Sequence, residues 1–164
     1  MFMSVLSAYK IKPMEYIIRS CNSNDLQKVV ELCTKHAEYE MADYNPIGKE
    51  ELLKDSIFSN EPKLFCCVVE SNNQLIGYFS YTFDFSTWDA FAFLYLDCLY
   101  LEPLYRGYGI GGKVMQFIKD IARQKNCVNI QWQTPTFNHR AIKFYNRVGG
   151  RGKDKVRFFL DVCE

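Results

Sequence analysis

The stretch LYRGYGIGGKVM, residues 104–115, carries four glycines within six positions. Three phosphate-binding patterns can be aligned with it. The dinucleotide pattern G-x-G-x-x-G begins at Gly107, a near match to the P-loop ends at Lys113, and the pyrophosphate-binding pattern R-x-x-G-x-G begins at Arg106. The neighbouring sequence decides between them.

Two of these patterns lack a residue that their chemistry requires. A P-loop needs a Ser or Thr hydroxyl for magnesium after its lysine, and this chain has Val114 there. A dinucleotide site needs an acid about 20 residues downstream for the ribose, and residues 121–153 contain no Asp or Glu. The third pattern lies between a predicted strand and a predicted helix, where glycines and free N–H groups suit a pyrophosphate. A purely structural glycine turn is the alternative.

The hydrophobic pattern predicts a mixed α/β domain with a largely antiparallel first half. Asn138 is expected to cap one helix and Gly149 to end it. We expect one domain over residues 1–164, in which residues 1–13 form a possible extra N-terminal segment. The predicted order is β-α-α-β-β-β-α-β-α-β, and its last strand is the segment KVRFFLDVC, residues 155–163.

The composition indicates a globular cytoplasmic protein. Hydrophobic residues make up 48% of the 164 positions and charged residues 24%, and no apolar run approaches the ~18 residues of a membrane span. The N-terminus resembles no signal peptide. Seven cysteines without a C-x-x-C pair, and only two histidines, favour reduced thiols over a metal site or a disulfide framework.

The charges are distributed unevenly along the chain. Twelve acids stand against three lysines between residues 38 and 102, whereas residues 121–153 hold seven basic residues and no acid. This asymmetry fits a cationic ligand bound by the first half and an anionic one by the second; two solvated faces are the ordinary alternative. The basic stretch lacks aromatic-basic repeats, so no nucleic-acid partner is expected.

The residues around the glycine loop resemble those of the GNAT superfamily of N-acetyltransferases, most closely its spermidine/spermine (diamine) and thialysine branch. The similarity spans roughly residues 14–150 and is densest in LYLDCLYLEPLYRGYGIGGKV and FNHRAIKFYNRVGG. Branch members carry L-Y-L-E-D-F-F-V, Y-R-G-F-G-I-G and N-x-x-x-x-x-F-Y-x-R-x-G in these places. The resemblance implies the GNAT fold, acetyl-CoA as co-substrate, a small cationic amine as acceptor and a homodimer.

The resemblance also implies how acetyl-CoA binds. Backbone groups along the strand before the loop pair with the pantetheine arm, the loop amides hold the pyrophosphate, and the helix-capping asparagine touches the arm. The positions that match are Leu99, Tyr100, Leu101, Arg106, Gly107, Tyr108, Gly109, Ile110, Gly111, Gly112 and Asn138.

Two residues are candidates for the proton chemistry of acetyl transfer. The acceptor amine must lose a proton before it attacks, and the leaving thiolate must gain one. Asp97 occupies the position of a branch glutamate and is expected to bind the ammonium group or relay its proton. Tyr145 matches the tyrosine that the resemblance makes the general acid. Packing or a structural hydrogen bond is the alternative for each.

For the acceptor, the resemblance implies contacts with Tyr39, Glu40, Trp88, Asp97 and Trp132. Cys98 departs from the branch, which has a second acid there, and this puts a long dication such as spermidine in doubt. A shorter diamine, thialysine, an aminoglycoside and a peptide amine stay open as acceptors. A module that binds CoA without catalysis is the alternative outside enzymes.

Overall fold

The computed structural model describes residues 14–162. The chain divides into two compact units, of which one ends at Trp132 and the other begins at Gln133. The elements are β1 (Ile17–Ser20), α1 (Leu26–Glu40), α2 (Lys49–Phe58), β2 (Phe65–Ser71), β3 (Gln74–Ser86), β4 (Phe91–Leu101), α3 (Ile110–Gln124), β5 (Ile130–Gln131) and α4 (His139–Arg147), with 3₁₀ turns at Ser23–Asp25 and Pro103–Tyr105.

The first unit contains one sheet whose strands lie in chain order, β1-β2-β3-β4-β5. The first four strands are antiparallel to their neighbours, and β5 runs parallel to β4. Short turns join β2 to β3 and β3 to β4, whereas α1 and α2 lie between β1 and β2. The connection from β4 to β5 passes through α3, as a parallel crossover requires. The predicted mixed sheet with an antiparallel first half is confirmed.

Helices cover both faces of the sheet. Alternation along β3 directs Tyr78 to the side of α1, in a cluster with Leu26, Val29 and Leu32. The next residue, Phe79, is fully buried on the opposite side, where its ring meets Phe117 of α3 edge-on at 5.9 Å. The buried face of α3 is an apolar stripe, formed by Ile110, Val114, Met115, Ile118 and Ala122.

Helix α4 of the second unit begins and ends where the sequence predicts. The Asn138 side chain accepts a hydrogen bond from the Ala141 amide at 3.1 Å. Gly149 adopts a φ of 92°, and the Gly150 amide bonds back to the Tyr145 carbonyl at 2.8 Å. This left-handed glycine closes the helix end, because a side chain would strain that conformation.

The strand predicted over residues 155–163 is wrong for its described part. Residues 151–162 form no helix or strand. Val156, Phe158, Phe159 and Leu160 are each at least 77% exposed. A hydrophobic run becomes a strand only when its backbone pairs with a neighbour, and none of the described residues pairs with this segment.

Gly77 offers a test of the β3–β4 register. An added Cβ would lie 2.5 Å from the Tyr100 carbonyl oxygen and from Leu101 Cδ2, so the two strands would have to separate. We expect Gly77→Ala to lower the free energy of unfolding by about 2–3 kcal/mol, since overpacking costs about 1–3 kcal/mol. Urea unfolding measures this. Gly152→Ala, whose Cβ meets nothing within 4 Å, is the control, and equal midpoints for the two variants would contradict the register.

Candidate active site

The glycine loop follows the end of β4 and leads directly into α3. Gly107 and Gly109 have φ angles of 96° and 82°, which other residues adopt only with strain. The positions where Cβ atoms of Gly107, Gly109 and Gly112 would lie have no neighbour within 4 Å. The loop backbone is therefore open to a ligand.

The start of α3 adds hydrogen-bond donors to this loop. Its N-cap is Gly109, which supplies no side-chain cap. The amide of Lys113 donates a hydrogen bond to the Gly109 carbonyl at 3.2 Å. Amides of a first helical turn have no partner inside their own helix and carry a partial positive charge. An anionic group such as a pyrophosphate fits this end of the helix.

The side chain of Arg106 connects the glycine loop to neighbouring elements. Its Nε donates to the Leu101 carbonyl at 2.8 Å, and its guanidinium lies 4.4 Å from the ring centroid of Tyr39. The arginine of the R-x-x-G-x-G pattern thus ties the loop to β4 and to the end of α1.

The edge of β4 facing β5 is open along its second half. The parallel pairing is limited to Leu94 with Ile130 and Tyr95 with Gln131. Among the described residues no strand pairs with Leu99 or Leu101 on that edge. Unpaired backbone groups on a strand edge can accept an extended ligand as an added strand.

A β-bulge places Asp97 at the wall of a cavity. Ser80 pairs with Cys98 and Tyr81 with Leu96, so Asp97 is the extra residue of β4. Adjacent strand residues normally face opposite sides of a sheet, and a bulge changes this. Both Asp97 and Cys98 therefore line the same cavity. The Ser80 hydroxyl donates to Asp97 Oδ2 at 3.3 Å.

This cavity has a volume of about 370 Å³ and lies between α1, α2, β3 and β4. Its wall carries three carboxylates, those of Glu40, Asp43 and Asp97, and one ammonium group, that of Lys49. Volumes of this order suit small molecules. The excess of acids favours a cationic ligand. The polar and thiol-bearing residues that complete the lining are Cys33, His36, Tyr44, Cys66, Tyr78, Ser80 and Cys98.

His36 and Asp43 line the cavity although neither belongs to a sequence motif that predicts a site. His36 precedes Glu40 by four residues, so both lie on one face of α1, and their side chains approach to 3.5 Å between Nε2 and Oε1. That spacing was the signal available in the sequence. Asp43 follows the helix in an irregular segment, for which the sequence offers no comparable periodicity.

Burial shifts the pKa of three side chains in the cavity wall, those of Cys98, Tyr44 and His36. It raises the pKa of the Cys98 thiol to about 12, with a further contribution from Asp97. It also raises the pKa of Tyr44 to about 12. Desolvation lowers the pKa of His36, against the opposing effect of Glu40. At neutral pH Cys98 is therefore a thiol and no nucleophilic thiolate, and His36 is uncharged.

The three aromatic residues predicted to contact the acceptor do not line this cavity. Trp88 is 98% exposed in the turn between β3 and β4. Tyr39 stacks against Arg106, and Trp132 is half-buried just after β5. None of the three is among the residues that line the cavity, whereas Glu40 and Asp97 are.

Tyr145 and Asn138 belong to the second unit. Tyr145 lies on α4, and its ring packs at 5.2 Å against that of Phe144. Asn138 is the N-cap of the same helix.

Residues 14–162 contain no group of three or more His, Cys, Asp or Glu side chains that could hold a metal ion. No helix in that range has the length and apolar character needed to cross a membrane.

The glycine loop at the start of α3, the open edge of β4 and the acidic cavity beside the bulge are the three features of the candidate site. Residues 23–150 match the model of the acetyltransferase (GNAT) family. The chain belongs to this family, whose members use acetyl-CoA, and it is an acetyl-transferring enzyme that acts on amines.

Individual proteins similar to this chain are also named as acetyltransferases. The thialysine N-epsilon-acetyltransferase of Bos taurus is 31% identical over 144 residues, which cover 82% of this chain and 84% of that protein. The spermidine/spermine N(1)-acetyltransferase-like protein 1 of Homo sapiens is 27% identical over 145 residues, 83% of this chain but 21% of that protein. The aminoglycoside N-acetyltransferase AAC(6')-Iy in complex with CoA shares the fold, with a TM-score of 0.73, 16% identity and coverage of 93% of this chain and 99% of that one.

Proposed function

We propose that the protein transfers the acetyl group of acetyl-CoA to a primary amine of a small cationic acceptor, such as a short diamine or a thialysine-like amino acid. The observation that carries this proposal is the bulge at Asp97, which adds a carboxylate to a cavity already lined by Glu40 and Asp43. Relatives named thialysine N-epsilon-acetyltransferase support a small amine acceptor.

The donor side of the proposal uses the glycine loop and the β4 edge. The loop amides and the start of α3 hold the pyrophosphate, and the backbone at Leu99 and Leu101 pairs with the pantetheine arm. The amide near Leu99 stabilises the tetrahedral oxyanion. Asn138 contacts the arm.

The chemistry is a direct attack of the amine on the thioester. Asp97 binds the ammonium group and contributes to the relay of its proton. The neutral nitrogen then attacks the carbonyl carbon, and Tyr145 donates its hydroxyl proton to the departing CoA thiolate. The homodimer, the cytoplasmic location and the acceptor contacts of Tyr39, Trp88 and Trp132 stay predictions.

Release of free CoA thiol with a panel of amines tests the acceptor class. We expect saturable turnover with short diamines and thialysine, because three carboxylates in about 370 Å³ favour compact molecules with more than one cationic group. Acetyl-CoA without an amine is the control for hydrolysis. Turnover with aminoglycosides or peptides alone would show that those amines are the acceptors. CoA binding without any turnover would favour a binding module.

A further inference from the structure

His36 lies between a carboxylate and a hydroxyl in the wall of the acidic cavity. Its Nδ1 is 3.0 Å from the Tyr78 hydroxyl oxygen. Its Nε2 is 3.5 Å from Glu40 Oε1, and the side chains of His36 and Glu40 are 13% and 29% exposed. A carboxylate can only accept, so Nε2 carries the proton of the neutral ring. Nδ1 then accepts from the Tyr78 hydroxyl.

Groups on every surrounding element face His36. They are Glu40 on its own helix, Tyr78 on β3, Tyr100 and Asp97 on β4, and Arg106 in the glycine loop. Desolvation lowers the pKa of His36, Glu40 and Asp97 raise it, and Arg106 lowers it, with the balance below the ordinary value of 6.5. The ring is therefore neutral at pH 7 and able to take up a proton.

The hydroxyl of Tyr78 lies between His36 and the thiol of Cys98. It faces the thiols of Cys33 and Cys98, and the Cys98 thiol in turn interacts with the Asp97 carboxylate. Asp97, Cys98, Tyr78, His36 and Glu40 all line the same cavity. Polar groups thus line the cavity from Asp97, the carboxylate proposed to bind the acceptor amine, to the partly exposed Glu40.

We propose that His36 accepts, through the Tyr78 hydroxyl, the proton that the acceptor amine must lose, and passes it to Glu40 and solvent. An N–H bond of the ammonium breaks as the Tyr78 oxygen takes that proton and gives its own to His36 Nδ1. The Nε2 proton then leaves to Glu40 and water. The amine becomes neutral and one proton is released, which matches the overall reaction of an ammonium group with a thioester.

This inference rests on the proposed function and deepens it. Asp97 is well placed to anchor a positive charge. A carboxylate, with a reference pKa of about 3.9, is however a weak acceptor for the proton of an alkylammonium group, whose reference pKa is about 10.4. An imidazole is a stronger one: its reference pKa is about 6.5, and desolvation lowers that of His36 from this value. The carboxylate of Glu40 fixes the tautomer and stabilises the imidazolium. His36 acts through Tyr78, so it positions and relays rather than touching the acceptor.

The test is the pH dependence of His36→Gln, which keeps a polar group beside Tyr78 but cannot take up a proton. We expect kcat at pH 7 to fall about 10²-fold, with KM for acetyl-CoA unchanged, since a missing general base costs about 10²- to 10⁴-fold. As the pH is lowered, the wild-type rate should decline with a midpoint below pH 6.5, because His36 becomes protonated. The His36→Gln rate should instead keep rising as the pH is raised through 9. His139→Gln, at the exposed second histidine, is the matched control.

Tyr78→Phe provides an independent variant in case His36→Gln does not fold, and it should change the pH profile in the same way. Added imidazole should restore part of the activity of His36→Ala. Reduced rates with an unchanged profile and no rescue would overturn the relay and leave His36 a packing residue. Wild-type protein that acetylates no amine would overturn the proposed function itself; an active wild type with a normal profile for both variants would overturn the relay alone.

Discussion

Asp97→Asn is expected to lower kcat/KM for the acceptor amine by about 10²- to 10³-fold at pH 7. Two effects combine. A charge-assisted hydrogen bond to the ammonium is replaced by a neutral one, which is worth about 1.5–3 kcal/mol, and the ammonium is no longer held in position for deprotonation. The loss should shrink as pH rises, because the fraction of amine that is already neutral increases about tenfold per pH unit below its pKa. Steady-state kinetics from pH 6.5 to 9.5 measure the loss of kcat/KM at pH 7 and its dependence on pH.

The matched control is Asp84→Asn, which changes an exposed acid of β3 outside the cavity and should leave the kinetics unchanged. CoA affinity, measured by calorimetry, should be the same for both variants, because neither residue lies in the glycine loop. Asp97→Asn should also raise KM for the amine, which distinguishes it from His36→Gln, where the change is confined to kcat. Wild-type kcat/KM with an unchanged pH dependence would remove Asp97 from the mechanism.

The geometry of the glycine loop and of the helix after it could be predicted from the sequence because its signals are local. A strand bounded by Pro103, glycines at the two positions of positive φ and an amphipathic helix from Ile110 occupy one continuous segment. Each is determined by residues within a few positions of one another. The same holds for the cap at Asn138 and the stop at Gly149.

The acceptor side depends on pairing between distant parts of the chain. Strict alternation along β4 would direct Asp97 and Cys98 to opposite faces, and only the register with Ser80 and Tyr81 of β3 reveals the bulge. Likewise, His36 is one polar residue of a helix until the fold brings Tyr78, 42 positions away, to 3.0 Å. Residues 155–162 show the reverse, since a strand-like pattern there finds no partner strand.

Tyr145→Phe is expected to reduce kcat about 10²-fold, and at least 10-fold, while leaving CoA affinity and thermal stability close to those of the wild type. A phenol holds its proton at neutral pH and can give it to a departing thiolate, whereas phenylalanine preserves the ring packing against Phe144 and removes only the donor. The decline of the wild-type rate at high pH, where a phenol ionises, should disappear in Tyr145→Phe.

Tyr16→Phe, at a half-buried tyrosine beside β1, is the matched control for loss of a hydroxyl and should keep the wild-type rate and its decline at high pH. Acetyl-CoA hydrolysis without amine separates the two halves of the reaction, because a missing acid slows the departure of the thiolate whatever the attacking group is. Tyr145→Phe should therefore slow hydrolysis as well as amine transfer, whereas Asp97→Asn should affect only amine transfer. If Tyr145→Phe kept wild-type turnover, the thiolate would leave unprotonated or take its proton from water, and Tyr145 would be a packing residue of α4.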